Sequence, residues 1–189
     1  MRWVPVVIYP DSRASVSTPE PSDMNEKTDK KPDPIETLQA LRATMQSVLL
    51  STLGEDGDPH NGYTPFVFDG RDIIVFVSQL SLHTRDLLAN GRVSAMLIAD
   101  EQASGQIFAR TRVSYQCRAA AVSKDDTSYD SLLDSLEGRH GKMIGLLRQL
   151  PDFVLFRLQP YKGQFVMGFG QAYRLIGENL DDFEHATSA

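Results

Sequence analysis

The feature that most constrains the fold lies between Leu150 and Leu175, where two apolar runs, Phe153 to Leu158 and Gln164 to Ala172, flank Pro160-Tyr-Lys-Gly163. Proline and glycine at the two ends of that tetrapeptide predict a turn, and the flanking runs predict the arms of a β-hairpin. In the second arm Phe165, Met167, Phe169 and Gln171 alternate with Val166, Gly168, Gly170 and Ala172. One face of that arm is bulky, and the other is small enough for a ring or another strand to lie against the backbone.

The rest of the chain supplies further short strands. Pro34 with Asp33 as N-cap opens a helix whose apolar face is Ile35, Leu38, Leu41 and Met45. Ser47 to Leu53, Gly62 to Phe68 and Ile73 to Ser78 read as an antiparallel meander joined at Gly54-Glu-Asp-Gly-Asp-Pro59 and Asp69-Gly70. A short helix follows from Leu82 to Asn90, with Leu82, Leu87 and Leu88 expected to be buried and Gly91 as its stop. Val93 to Ala99 and a long alternating segment, Ile107 to Val122, are further strands, the second placing Arg110 and Arg112 together on its non-core face. Tyr129 to Leu150 reads as two helices or one broken near Gly138 and Gly141. The fold class is therefore mainly β with flanking helices (α+β): six to seven antiparallel strands, closed into a small barrel that leaves no sticky edge.

At 189 residues and 41% hydrophobic content the chain has material for one domain with a tail. Residues 1–33, rich in Ser, Pro, Asp, Glu and Lys after the first ten, are expected to be a disordered N-terminal tail, with residues 1–23 either an upstream extension or a start-site artefact; residues 34–189 form the barrel domain. The net charge of −6 argues against nucleic-acid partners. The run Trp3 to Tyr9 is too short to span a membrane or serve as an export signal. One cysteine, Cys117, excludes an intrachain disulfide and fits a cytoplasmic location. His60, His83, His140 and His185 show no metal-ligand spacing.

At Ser78 to Arg85 a strand end meets a helix start, where unpaired N–H groups and the helix dipole favour an anion. Ser78 and Thr84 carry hydroxyl donors and Arg85 a planar fork suited to phosphate; a capped helix with a solvated His83 and Arg85 is the plainer alternative. Tyr63-Thr-Pro65-Phe sits on a strand where Pro65 removes one ladder donor, the mark of an edge or of a closely approaching group.

Four segments, LFRLxPxxGxFVxGFGxA at 155–172, SxLxxHTRxL at 78–87, FARxR at 108–112 and YxPF at 63–66, together resemble the FMN-binding split-barrel superfamily that includes pyridoxamine 5'-phosphate oxidase. The resemblance covers roughly Pro34 to His185 and is closest to the HugZ/HutZ heme-utilisation branch. It implies an FMN-binding split β-barrel and a homodimer holding its cofactor between subunits. It also implies a phosphate at the Ser78–Arg85 junction and cofactor-facing roles for Tyr63, Pro65, Ser78, His83, Thr84, Arg85, Arg110 and Arg112. His83, Arg112 and Asp152 are similar to family residues near the heme or the subunit interface. Heme-degrading members carry an axial histidine in a C-terminal E-G-H-R-like tail, whereas this sequence finishes Asp182-Phe-Glu-His185-Ala-Thr-Ser-Ala189, leaving His185 as the one stand-in.

Three functions are expected in this order. The first is an FMN-dependent oxidoreductase acting on a small molecule, with the flavin carrying the redox chemistry. The second is a heme-binding, heme-degrading protein. The third is a barrel that binds without catalysing.

Overall fold

The computed structural model describes residues 32–186; the expected tail through residue 31, with its suggested extension over residues 1–23, lies outside the described residues. Asp33 starts the first helix as anticipated. Its carboxylate accepts the Ile35 N–H at 2.8 Å, and α1 spans Pro34–Thr44 with Leu38 and Leu41 turned into the core. The elements that follow are β1 (Ser47–Leu53), β2 (Pro59–Asp69), β3 (Asp72–Ser78), α2 (Leu82–Asn90), β4 (Arg92–Ile98) and β5 (Arg112–Ala121). After these come α3 (Tyr129–His140), α4 (Met143–Leu147), β6 (Phe153–Gly168), β7 (Gln171–Ile176) and β8 (Asp182–His185).

All pairings are antiparallel, in the order β3-β2-β1-β4-β5-β6-β7-β8, and β3 also pairs with β6. That last pairing closes β1 to β6 into a six-stranded barrel, with β7 and β8 extending the sheet beside it. Period-2 burial explains the closure: Val48 and Leu50, Val93, Ala95 and Leu97, and Val113, Tyr115 and Cys117 all point into one core. β3 is buried on both faces. Ile73, Val75 and Val77 face the barrel interior, while Ile74 and Phe76 pack outward under Leu132, Leu133 and Leu136 of α3. α1, entering at the start of β1, and α2, whose Asn90 donates to the Leu53 carbonyl at its end, pack onto the barrel core through Leu38, Leu41 and Leu87. Arg42 of α1 reaches inside to the buried Tyr115 hydroxyl at 2.6 and 2.9 Å.

Three expectations are corrected. Pro160 to Gly163 is not a turn: β6 runs unbroken for 16 residues, and the hairpin turns at Phe169-Gly170, where Gly170 takes φ +65°. Lys162 pairs with Gln116 and Pro160 with Cys117, so Tyr161 is one extra residue, a β-bulge. The bulge switches parity. Phe156, Leu158 and Pro160 are buried before it, and Gly163 and Phe165 after it. Gly163 itself makes room for the neighbouring strand, since a Cβ there would lie 2.7 Å from Leu175 of β7.

The second correction is the strand read from Ile107. Residues Ile107–Ala109 form one turn of 3₁₀ helix and β5 starts at Arg112, because Arg110 is drawn back onto the Ala99 carbonyl (2.6 and 3.1 Å) and Glu101 (2.8 Å). The third is α2, where Leu82 and Leu88 are exposed and Thr84, Asp86 and Leu87 are buried. No helix among the described residues is long and apolar enough to cross a membrane.

Candidate functional site

β2 presents His60, Gly62, Thr64 and Phe66 on one side, and α2 lies across the first part of that row. Gly62 makes the room for this packing. A Cβ there would sit 2.3 Å from His83 Nδ1 and 2.8 Å from its Cε1, so the imidazole occupies the space a side chain would take. His83 then lines a cavity of about 230 Å³ with Tyr63, Pro65 and Ser78, walled by Phe76, Leu147 and Phe153. Burial pushes the His83 imidazole below the ordinary histidine range, opposed by the negative charge of Asp86, so the ring is held neutral near pH 7.

The other three histidines are engaged. His60 Nδ1 is 2.8 Å from Asp86, His140 Nε2 is 2.8 Å from the Phe66 carbonyl, and His185 stacks edge-on against Tyr173. His83 has no hydrogen-bond partner among the described residues and is partly exposed where it lines the cavity.

Asp152 fixes one wall of the cavity. Its carboxylate accepts the Ser78 hydroxyl proton and its carbonyl accepts the Gln79 N–H at 2.9 Å, while Ser78 Oγ accepts from the Leu80 N–H at 3.1 Å. The entry to β6 is thereby tied to the β3–α2 junction.

The expected phosphate cradle is not brought together. Ser78 spends its proton on a carboxylate, which would itself repel a phosphate. Thr84 is fully buried, and its hydroxyl has no partner among the described residues. Arg85 lines a different concavity, of about 440 Å³, beside Glu55 and Asp56.

Arg110 and Arg112 separate as well. Arg110 is consumed in pinning the 99–110 loop, whereas Arg112 opens β5, donates only to the Arg110 carbonyl at 3.1 Å, and has no carboxylate partner among the described residues. In the sheet register Pro65 lies opposite Ser47, and Arg112 opposite Ile98 on one side and Val166 on the other. The pairing of Leu49 with Met96 carries Ser47 opposite Ile98, so Pro65 and Arg112 share one row on the outward face. They are three strand spacings apart, about 14 Å. His185 pairs with Tyr173, which pairs with Phe165, and therefore lies on the opposite, inward side of the sheet. It joins neither Arg112 nor His83.

One constellation escaped the sequence. Asp86, 6% exposed, accepts the Thr52 hydroxyl at 2.6 Å and His60 at 2.8 Å on a single oxygen. Burial pushes this carboxyl up, but the bonds from Thr52 and His60, with the charges of His60 and Arg85, outweigh it and hold Asp86 below the usual carboxylate range. The one available signal was a polar pair, Thr84 and Asp86, bracketing the helix's inward face. Among the described residues no group of three or more His, Cys, Asp or Glu side chains is placed to hold a metal ion.

The model of the pyridoxamine 5'-phosphate oxidase family matches residues 35–167. Heme oxygenase HutZ of Vibrio cholerae is 38% identical over 148 residues, 78% of this chain and 84% of that protein. The crystal structure of HutZ, described there as the heme storage protein of V. cholerae, is similar with a TM-score of 0.68 and 32% identity, over 71% of this chain and 96% of that one. Campylobacter jejuni ChuZ is similar with a TM-score of 0.71 and 28% identity, over 80% of this chain and 61% of that one.

Proposed function

Since the chain belongs to the pyridoxamine 5'-phosphate oxidase family, we propose that it uses that family's split barrel to bind heme and take part in its oxidative breakdown, the second of the three functions expected from sequence. The observation that carries this reading is the 38% identity to a heme oxygenase across 84% of that protein's length. FMN, ranked first from sequence on the Ser78–Arg85 junction and on the unmatched E-G-H-R-like pattern, has the family name behind it, whereas the HutZ relatives are named for heme.

The residues fit heme. A tetrapyrrole presents a wide apolar plane, two carboxylates and an iron. Apolar walls at Tyr63, Pro65, Phe76 and Phe153 suit the plane, and Arg112, without a carboxylate of its own, suits an anionic edge about 14 Å from the row position of Pro65. Bound heme supplies the redox-active metal centre that dioxygen chemistry needs, with electrons from an external donor. The chain's own residues bind, orient and exclude water: His83 offers a neutral imidazole, Arg112 neutralises charge, and Asp152 with Ser78 keeps the cavity wall in place.

One protomer supplies only part of such a site, because 230 Å³ falls below the roughly 300 Å³ where small-molecule sites begin. The outward face of β1 and β2 exposes Leu49, Leu53 and Tyr63. We assign that face to a second copy, making the protein a homodimer that completes the site between subunits. Incubating the purified chain with hemin, a reductant and air tests the activity. The expected result is loss of the heme absorption band with chelatable iron released in step. A band that stays constant, with no iron appearing, would contradict breakdown.

A further inference from the structure

Asp86 sits between two cavities. On one side His60, directly opposite Thr52 in the β1–β2 register, faces the concavity of about 440 Å³ that Arg85 and Asp86 also line. On the other side His83, one turn earlier on the same face of α2, fills the gap above Gly62 and lines the ligand cavity. His60 therefore bonds this nearly buried carboxylate, and His83 stands three residues before it on α2. The Asp86 Oδ2 takes Thr52 and His60, while its Oδ1 has no hydrogen-bond partner among the described residues.

We propose that Asp86 is the shared counter-charge of two imidazoles, His83 at the ligand cavity and His60 at the solvent-facing one, and that Asp86 and His60 are thereby positioning residues for His83. This rests on the reading of the His83 cavity as the ligand site.

The groups facing the pair are few. From β1 comes only the Thr52 hydroxyl, and from β2 come His60 and, beside His83, Tyr63. The β1–β2 turn contributes Glu55 and Asp56 at the rim of the larger concavity, and α2 itself contributes Arg85. Asp152, at the entry to β6, is engaged by Ser78. Asp86 is thus the nearly buried anion that His60 bonds and whose charge reaches His83. Its charge favours a proton on His83, and the His60 hydrogen bond draws on the same carboxylate. The carboxylate's opposition to the burial of His83 has this geometry behind it.

The test is an NMR pH titration of the histidine ring signals in the full chain without ligand, for the native protein, Asp86→Asn and His60→Ala. Asp86→Asn is expected to move the His83 midpoint to lower pH, and His60→Ala to move it to higher pH, because the carboxylate then serves one ring. Opposite displacements are a result that a purely structural role would not produce. A His83 midpoint unmoved, or moved the same way in both variants, overturns the proposal. Should Asp86→Asn fail to fold, His60→Ala, at a partly exposed position, carries the test alone. Hemin titration of the same three proteins keeps the two readings apart. Displaced midpoints in a protein that takes up no hemin leave the coupling standing and remove the heme reading, whereas hemin binding with unmoved midpoints does the reverse.

Discussion

At the scale of single residues, Gly62 and His83 behave as one unit. The glycine is needed for space rather than for an unusual backbone angle, since a Cβ would meet the imidazole at 2.3 Å and no positive φ occurs at this position. Gly62→Ala is therefore expected to destabilise the protein by about 1–3 kcal/mol, the usual cost of overpacking, and to weaken ligand capture. Adding His83→Ala should recover most of that stability, and a double-mutant cycle by chemical denaturation reads the coupling.

His83 also gives stability a pH dependence. Its folded pKa lies below the ordinary 6.5, because burial disfavours the charged ring, so the unfolded chain takes up the proton first. Stability from this group is complete above 6.5 and is lost as pH falls through the folded value. Asp86, also depressed, acts in the same sense at lower pH, beneath its ordinary 3.8. Denaturant midpoints measured from pH 7.5 to 5 should fall for the native chain and fall less for His83→Gln. Equal slopes would show that the ring titrates as though exposed.

Among the elements, β6 shows why most of the barrel is legible in the sequence and one part is not. Alternation in β1, β4 and β5 reports burial directly, because each strand has one face in the core. Asp33 before Pro34 and Gly91 after α2 report helix ends through local backbone chemistry. The Pro160–Gly163 stretch carries the same residues a turn would use, and only pairing with β5, more than 40 residues earlier in the chain, makes it a bulge. The Asp86 network was hidden for a similar reason. Its partners lie 34 and 26 residues away, and a buried carboxylate looks like a surface one until they are in place.

The bulge makes a sharp prediction. Deleting Tyr161 joins Pro160 to Lys162, which restores plain pairing in the register already present and leaves Phe165 inward and Gln164 outward. Tyr161→Gly keeps the extra residue and loses chiefly the Arg118 guanidinium, 5.3 Å over the ring, a contact worth about 0.5–1 kcal/mol. Thermal melts should therefore find the deletion close to the glycine variant, since both keep Phe165 in the core; a deletion far less stable would mean that Tyr161 is not the extra residue of β6.

For the whole molecule, the outward face of the barrel sets what one chain can do alone. Leu49 is 40% exposed and Tyr63 70% exposed, beside a cavity too small for a heme. Sedimentation at micromolar concentration is expected to give a dimer for the native chain and a monomer for Leu49→Arg, with weaker ligand capture in the variant. A native monomer would remove the shared site.

The most direct test is an absorbance titration of the purified protein with hemin, with equilibrium dialysis against FMN alongside. A saturating heme band, weakened about tenfold in affinity by Arg112→Ala through loss of one charge-assisted hydrogen bond of roughly 1.5 kcal/mol, is the expected result, together with little retained FMN. Retention of FMN with no hemin band would contradict heme binding and return the protein to the flavin reading.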